Sequence, residues 1–202
     1  MASLLVPWGP GLLRGLVAGV VATSYFWMVF MVALLQTYPT TVGEWGESFT
    51  RELLKGRGFD WPIVDDVPLE RRNVDHVAVS PSAILAIETK FIGAGRHWET
   101  DSYRESAMQG ARSSARSVSL ILRSRGMVGL PVQPVLMLWG PAAPKLPGGW
   151  TEVDGVHVVS GSNPEAWRQR CRRGAINDDQ AAAITQKLIE HRDMRDAYDR
   201  RK

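Results

Sequence analysis

Residues Asn73–Lys90, NVDHVAVSPSAILAIETK, decide how this chain is read. Two strand-like runs flank Ser80-Pro81-Ser82, which has the composition of a turn. With Ser80–Ala83 as the loop, antiparallel pairing joins residues whose numbers sum to 163, and Asp75 then stands opposite Glu88. Directly paired residues point to one face with Cβ atoms about 5 Å apart, and Lys90, two positions beyond Glu88, shares that face. Two carboxylates so close repel each other unless a cation joins them. Hard oxygen ligands suit Mg2+ or Mn2+ better than zinc. The alternative is a cross-strand ion-pair cluster in which Lys90 and a nearby arginine satisfy both carboxylates, and spacing alone leaves both readings open. Alternation sends His76 to the other face, as a packed or capping histidine.

Outward from this hairpin the chain reads as a mixed α/β domain. Thr41 and Glu44 have capping-box spacing, so a helix is expected there, with Trp45, Phe49 and Leu53 as its packed stripe and Gly56 and Gly58 at its end. Ile63–Leu69, Asn73–Val79 and Ala83–Phe91 are expected strands. A basic, serine-rich helix follows over Ser102–Arg123, then a strand at Val132–Trp139, a Pro- and Gly-rich loop over 140–149, and a strand at Val156–Ser160. Asn177 with Gln180 caps a last helix running to Tyr198, with Ile184 and Leu188 on its apolar side.

The N-terminal segment has another character. No charge occurs between Arg14 and Glu44, and Gly15–Leu35 is a 21-residue run that is apolar apart from Thr23, Ser24 and scattered glycines. About 20 helical residues cross a hydrocarbon core, whereas the apolar part of a signal peptide is about 7–15 residues long. The expected organisation is a tail over 1–14, one transmembrane helix over 15–36, a linker over 37–41, a domain over 42–167 and a basic, amphipathic helical segment over 168–202. Arg51 and Lys55 after the run, against Arg14 before it, favour a single-pass protein of the cell membrane with its C-terminal domain in the cytoplasm.

The arrangement of Asp75 with Glu88-Thr89-Lys90 resembles the motif of the PD-(D/E)xK nucleases, and its setting resembles their nuclease-related domain, NERD. The likeness covers Val42 to Trp167 and runs through five blocks: Gly43-Glu44-Trp45-Gly46-Glu47, Val74-Asp75-His76-Val77, Ile87-Glu88-Thr89-Lys90, Trp98 and Gln109. Two places depart from the family pattern. Ser80-Pro81-Ser82-Ala83 stands where a glycine turn is usual, and Glu105-Ser106 stands where the family has Asn-Pro. The resemblance implies a restriction-endonuclease-like mixed central sheet flanked by helices, here preceded by one transmembrane helix. It also implies a phosphodiesterase site. There Asp75, Glu88 and the Thr89 backbone carbonyl would bind Mg2+ or Mn2+ and Lys90 would orient or activate water. Glu47 would reach the metal from the first helix, and Gln109 would sit at the edge of the site.

Composition agrees without deciding. The chain has 202 residues, 45% of them hydrophobic and 22% charged, with a net charge of +3 and a single cysteine, Cys171. Disorder and a disulfide scaffold are excluded, and short-spaced zinc ligands are missing. Arg96, Arg104, Arg112 and Arg116, continued by Arg123 and Arg125, form a basic line after the motif, suited to a phosphate backbone. The expected partners are nucleic acid, DNA foremost, the bilayer and a second copy of the chain; no organic cofactor is expected. The rival readings are a catalytically silent nucleic-acid-binding or scaffolding module of the same fold, and an enzyme acting on other phosphates.

Overall fold

The computed structural model describes residues 10–56, 58–70, 72–93, 98 and 101–200, with side chains described for all of these except 10–15, 32–42, 101 and 199. It divides into two compact units, Met1–Val42 and Gly43–Lys202.

Helix α1 (Pro10–Lys55) supplies residues to both units, and its part in the first exposes every described side chain from Leu16 to Met31. Among the described residues no helix is long and apolar enough to cross a membrane. The expected span over 15–36 therefore has no support among the described residues. The side chains at 15 and 32–36 lie outside the described residues. The expected break at 37–41 is corrected, because α1 is helical through these residues and does not start at Thr41. Capping signals act only where a helix has an end, and here helix-compatible sequence on both sides carries it through Pro39, despite the usual cost of an interior proline.

The second unit is a six-stranded sheet with helices on both faces. Its elements are β1 (Ile63–Pro68), β2 (Asn73–Val79), β3 (Ile84–Phe91), α2 (Asp101–Ser124), β4 (Val132–Trp139), β5 (Trp150–Val153), β6 (Val156–Ser160), α3 (Glu165–Cys171) and α4 (Asp178–Asp199). The strand order is β1-β2-β3-β4-β6-β5. β3, β4 and β6 run parallel, while β1, β2 and β5 add antiparallel edges. β2 and β3 pair His76 with Ile87 and Val79 with Ile84, the register expected from the Ser-Pro-Ser turn. Ser80 Oγ donates to the Ala83 carbonyl at 2.8 Å and closes that turn without a glycine.

Alternation then sorts the hairpin into two faces. Val77, Val79, Ile84 and Ala86 pack against Ala115, Val118 and Leu122 of α2 and against Ala181, Ile184 and Leu188 of α4. Both helices carry their apolar residues at three- and four-residue spacing, which makes one stripe. α4 starts as expected: Asn177 accepts from the Gln180 N–H, and the Gln180 side chain accepts from the Asn177 N–H. Its core residues bind 168–202 into the same compact unit as the rest of the domain.

Ala78, Leu85 and Ile87 on the other face pack against Leu53, Leu54 and Trp167. The stripe expected on α1 is rotated. Trp45 and Phe49 are about half exposed, while Gly46, Thr50, Leu53 and Leu54 are buried. The reason is a close crossing over β3: a Cβ on Gly46 would lie 3.1 Å from Thr89 Cγ2 and 3.4 Å from Phe91 Cβ. Thr50 Oγ1 accepts from Trp139 Nε1 at 2.8 Å and from Thr89 Oγ1 at 3.0 Å, so small and hydroxyl side chains make this contact. Two elements beyond expectation are β5 and α3. β5 joins β6 through Asp154-Gly155, both at positive φ, a two-residue hairpin turn whose Asp-Gly signal is in the sequence.

Candidate functional site

The site lies where β2 and β3 part. Their ladder stops at His76 and Ile87, one pair short of Asp75 and Glu88. Instead of continuing it, Asp75 Oδ2 accepts the Thr89 backbone N–H at 2.6 Å. Glu88 is buried on the α2 side, where Lys90 Nζ donates to Oε1 at 3.0 Å and Ser114 Oγ donates to Oε2 at 3.2 Å. Asp75, Glu88 and Lys90 are thus brought together on one face of the hairpin, with Thr89 turned to the other.

The electrostatics of Asp75 are those of a crowded carboxylate. Burial pushes its pKa up to about 7, with the negative charge of Glu88 adding to the rise; the Thr89 N–H opposes it, Glu47 adds a smaller rise and Lys90 a smaller fall. Glu47 is half-buried, and its carboxyl is raised by burial and then by Asp66, against the pull of His76, Lys90 and Arg51. It feels charges from both faces of the hairpin, as a residue at the strand edge does.

Hard oxygen donors that repel one another fit a dication in kind, and Mg2+ is commonly held by only one or two carboxylates together with waters and substrate phosphate. Asp75 and Glu88 meet that requirement. Among the described residues no group of three or more His, Cys, Asp or Glu side chains is arranged to hold a metal ion, and Glu47 lies within electrostatic reach of Asp75 and Lys90.

The other expected residues fall in different places. Gln109 is exposed on α2, and the α2 residue that reaches Glu88 is the buried Ser114. The reason is helical phase: Ser114 lies on the Ala107, Ala111, Ala115, Val118 stripe that faces the sheet, and its being polar there was the legible signal. Arg72, from the β1–β2 turn, donates through Nη2 to Ser114 Oγ at 3.0 Å and to the Gly110 carbonyl. It is the arginine of the ion-pair alternative, acting through a hydroxyl.

Arg112 is engaged by Glu105 at 3.3 Å and Asp154 at 3.4 Å, while Arg104 and Arg116 are exposed. Arg96 and His97 lie outside the described residues. Trp98 is buried edge-on to Tyr103 and serves packing.

His76 occupies the opposite face, fully buried, with Nδ1 2.8 Å from Asp65 Oδ1 and with Nε2 lacking a partner among the described residues. Arg51 and Lys55 also reach Asp65, at 2.9 and 3.5 Å. Asp66 follows at φ +54, a left-handed conformation rare outside glycine, asparagine and aspartate, and it lies across from Asp75 between the ladder pairs Asp65–His76 and Val67–Val74. The adjacent acids Asp65-Asp66 in an otherwise apolar strand were its sequence signal.

No curated protein matches the chain. The splayed β2–β3 pair, its Asp75 and Glu88 carboxylates and the adjoining Lys90 all fall within residues 42–139, which match the family model of NERD, the nuclease-related domain.

Proposed function

We propose that the chain is a divalent-metal-dependent nuclease that hydrolyses phosphodiester bonds of DNA, with RNA as a further substrate. The observation that carries this is the meeting of Asp75, Glu88 and Lys90 on one face, at the point where the β2–β3 ladder opens. Asp75, Glu88 and the Thr89 carbonyl would hold Mg2+ or Mn2+, with Glu47 near by. Such an ion supplies an acidified water and neutralises charge on the scissile phosphate. Lys90 then supplies fixed positive charge beside the phosphate and holds the attacking water in line. Ser114 and Arg72 keep the Glu88 carboxylate turned toward Lys90.

The N-terminal helix is proposed to seat the protein at the cell membrane with the domain on the cytoplasmic side. The support is the uncharged run and its uninterrupted exposure of apolar side chains from Leu16 to Met31. An apolar surface of that extent is costly in water. A homodimer is part of the same proposal, its copies held at one membrane.

A second reading has its own support. Lys90 and Ser114 satisfy both Glu88 oxygens and Thr89 N–H satisfies Asp75 Oδ2, so the site is also stable as an ion-pair cluster in a silent nucleic-acid-binding module. Incubating the full chain in detergent with plasmid DNA and with RNA, in Mg2+, Mn2+ or EDTA, separates the two. Cleavage that appears with metal and vanishes in EDTA is the expected result; binding with no cleavage in either metal selects the silent module. Recovery of the full chain in the soluble fraction without detergent would overturn the membrane part.

A further inference from the structure

Between the β1–β2 turn, α2 and α4 lies an open groove of about 670 Å3 whose lining includes Arg72, Arg195, Glu70, Ser113, Ser117 and Leu120. Its volume is that of a small-ligand site. Among the described lining residues, Arg72 and Arg195 are two guanidiniums and Glu70 is one carboxylate, with Arg195 also 5.9 Å over the Tyr198 ring. Ser113 and Ser117 set two hydroxyls one helical turn apart, and Leu120, more than half exposed, adds an apolar side chain to the lining. Guanidiniums and hydroxyls recognise phosphate, while an apolar side chain takes the face of a planar body.

A hydrogen-bond relay joins the groove to the site described above. Arg72 lines the groove and donates through Nη2 to Ser114, which donates to Glu88. A guanidinium carries five N–H donors, more than its two bonds to α2 consume. Gly110 makes the approach, since a Cβ there would lie 3.3 Å from Arg72 Nη1.

We infer that this groove binds a nucleoside monophosphate unit, its phosphate on Arg72 and Arg195 and its base on Leu120. The inference rests on the nucleolytic reading for its substrate class and deepens it: the strand enters the site along the α2–α4 groove, and the basic line on the outside of α2 is secondary. One ligand chemistry has two sources here, a residue of a single strand or a free mononucleotide.

The test measures binding in EDTA, apart from cleavage. Full chain in detergent is titrated into a fluorescein-labelled eight-nucleotide single-stranded DNA and read by anisotropy, then competed with deoxyadenosine monophosphate and, separately, with inorganic phosphate. Arg195→Gln lies away from Glu88 and is expected to weaken oligonucleotide binding about tenfold, with a log-log salt slope shallower by about 0.7. Leu120→Asp, at an exposed position that tolerates a polar residue, is expected to weaken it comparably. Circular dichroism melts verify that both variants fold. Direct titration of a fluorescent deoxyadenosine monophosphate, read in the same way, assigns the site to the free nucleotide if the variants abolish its binding while the oligonucleotide is unaffected.

Unchanged binding of both probes in folded Arg195→Gln and Leu120→Asp overturns the inference, as does inorganic phosphate competing as well as the mononucleotide. A wild type that never cleaves, with groove variants that bind weakly, would sink the nuclease reading and leave this one standing. A wild type that cleaves while the variants bind normally would do the reverse.

Discussion

Asp75 and His76 are neighbours on one strand and face two differently composed polar clusters. On the His76 side, Asp65 is met by His76, Arg51 and Lys55. Burial opposes its ionisation, yet the His76 hydrogen bond and these charges hold its carboxyl below the ordinary value of 3.8. On the Asp75 side, burial and the charge of Glu88 drive a carboxyl the other way, to about 7. Both clusters are partly buried and both contain cations. What differs is the balance: Asp65 and Asp66 share three basic groups, Arg51, Lys55 and His76, in a structural knot, whereas Asp75 and Glu88 share one lysine. That imbalance, in an opening between strands, is what the proposed metal site rests on.

The sharpest way to break that contrast is to remove its members one at a time. Lys90→Ala is expected to lower cleavage by about a thousandfold or more while leaving Mn2+ affinity, read by calorimetry, unchanged or slightly raised, since a nearby positive charge has gone. Asp75→Asn is expected to lose cleavage and metal affinity together. If nucleolysis persists in the Asp75→Asn, Lys90→Ala double variant, the activity resides elsewhere.

Across the hairpin the effect moves from chemistry to stability. Asp65→Asn is expected to cost about 2 kcal/mol in denaturant melts, because a charge-assisted hydrogen bond to a buried histidine is lost, while metal affinity stays as in the wild type. The sign with pH is definite. A carboxyl depressed by folding contributes stability above its unfolded value, near 3.8, and loses it as pH falls through the lower folded value. The acid limb of the wild-type stability curve should therefore be steeper than that of Asp65→Asn; parallel limbs would show that the knot is not held by charge.

Smaller effects sharpen the picture. Ser114→Ala takes one hydrogen bond from Glu88 and is expected to reduce cleavage about tenfold, the usual scale for a group that orients a ligating side chain. Ser114→Thr, which keeps the hydroxyl, should restore much of it. Smallest of all is Arg112→Ala: with Glu105 and Asp154 already beside the guanidinium, oligonucleotide affinity should change by less than about twofold. A tenfold loss would return the strand path to the outside of α2.

Local rules carried a good part of this structure in the sequence alone. A Ser-Pro-Ser turn has few ways to close, so the register that sets Asp75 toward Glu88 followed from chain numbering. Apolar spacing located α2 and α4, and reciprocal Asn177–Gln180 bonds set the start of α4. The motif of Asp75, Glu88 and Lys90 was legible because it is contained in one hairpin. Only the tertiary structure decided the rest, because it depends on which surfaces meet. Gly46 and Thr50, rather than Trp45 and Phe49, face β3, since a close helix crossing excludes large side chains. Ser114, rather than the Gln109 expected at the edge of the site, is the α2 side chain that meets Glu88, because helical phase is set by the sheet beneath. Arg72, 42 residues before Ser114, reaches that hydroxyl only once the β1–β2 turn has folded against α2.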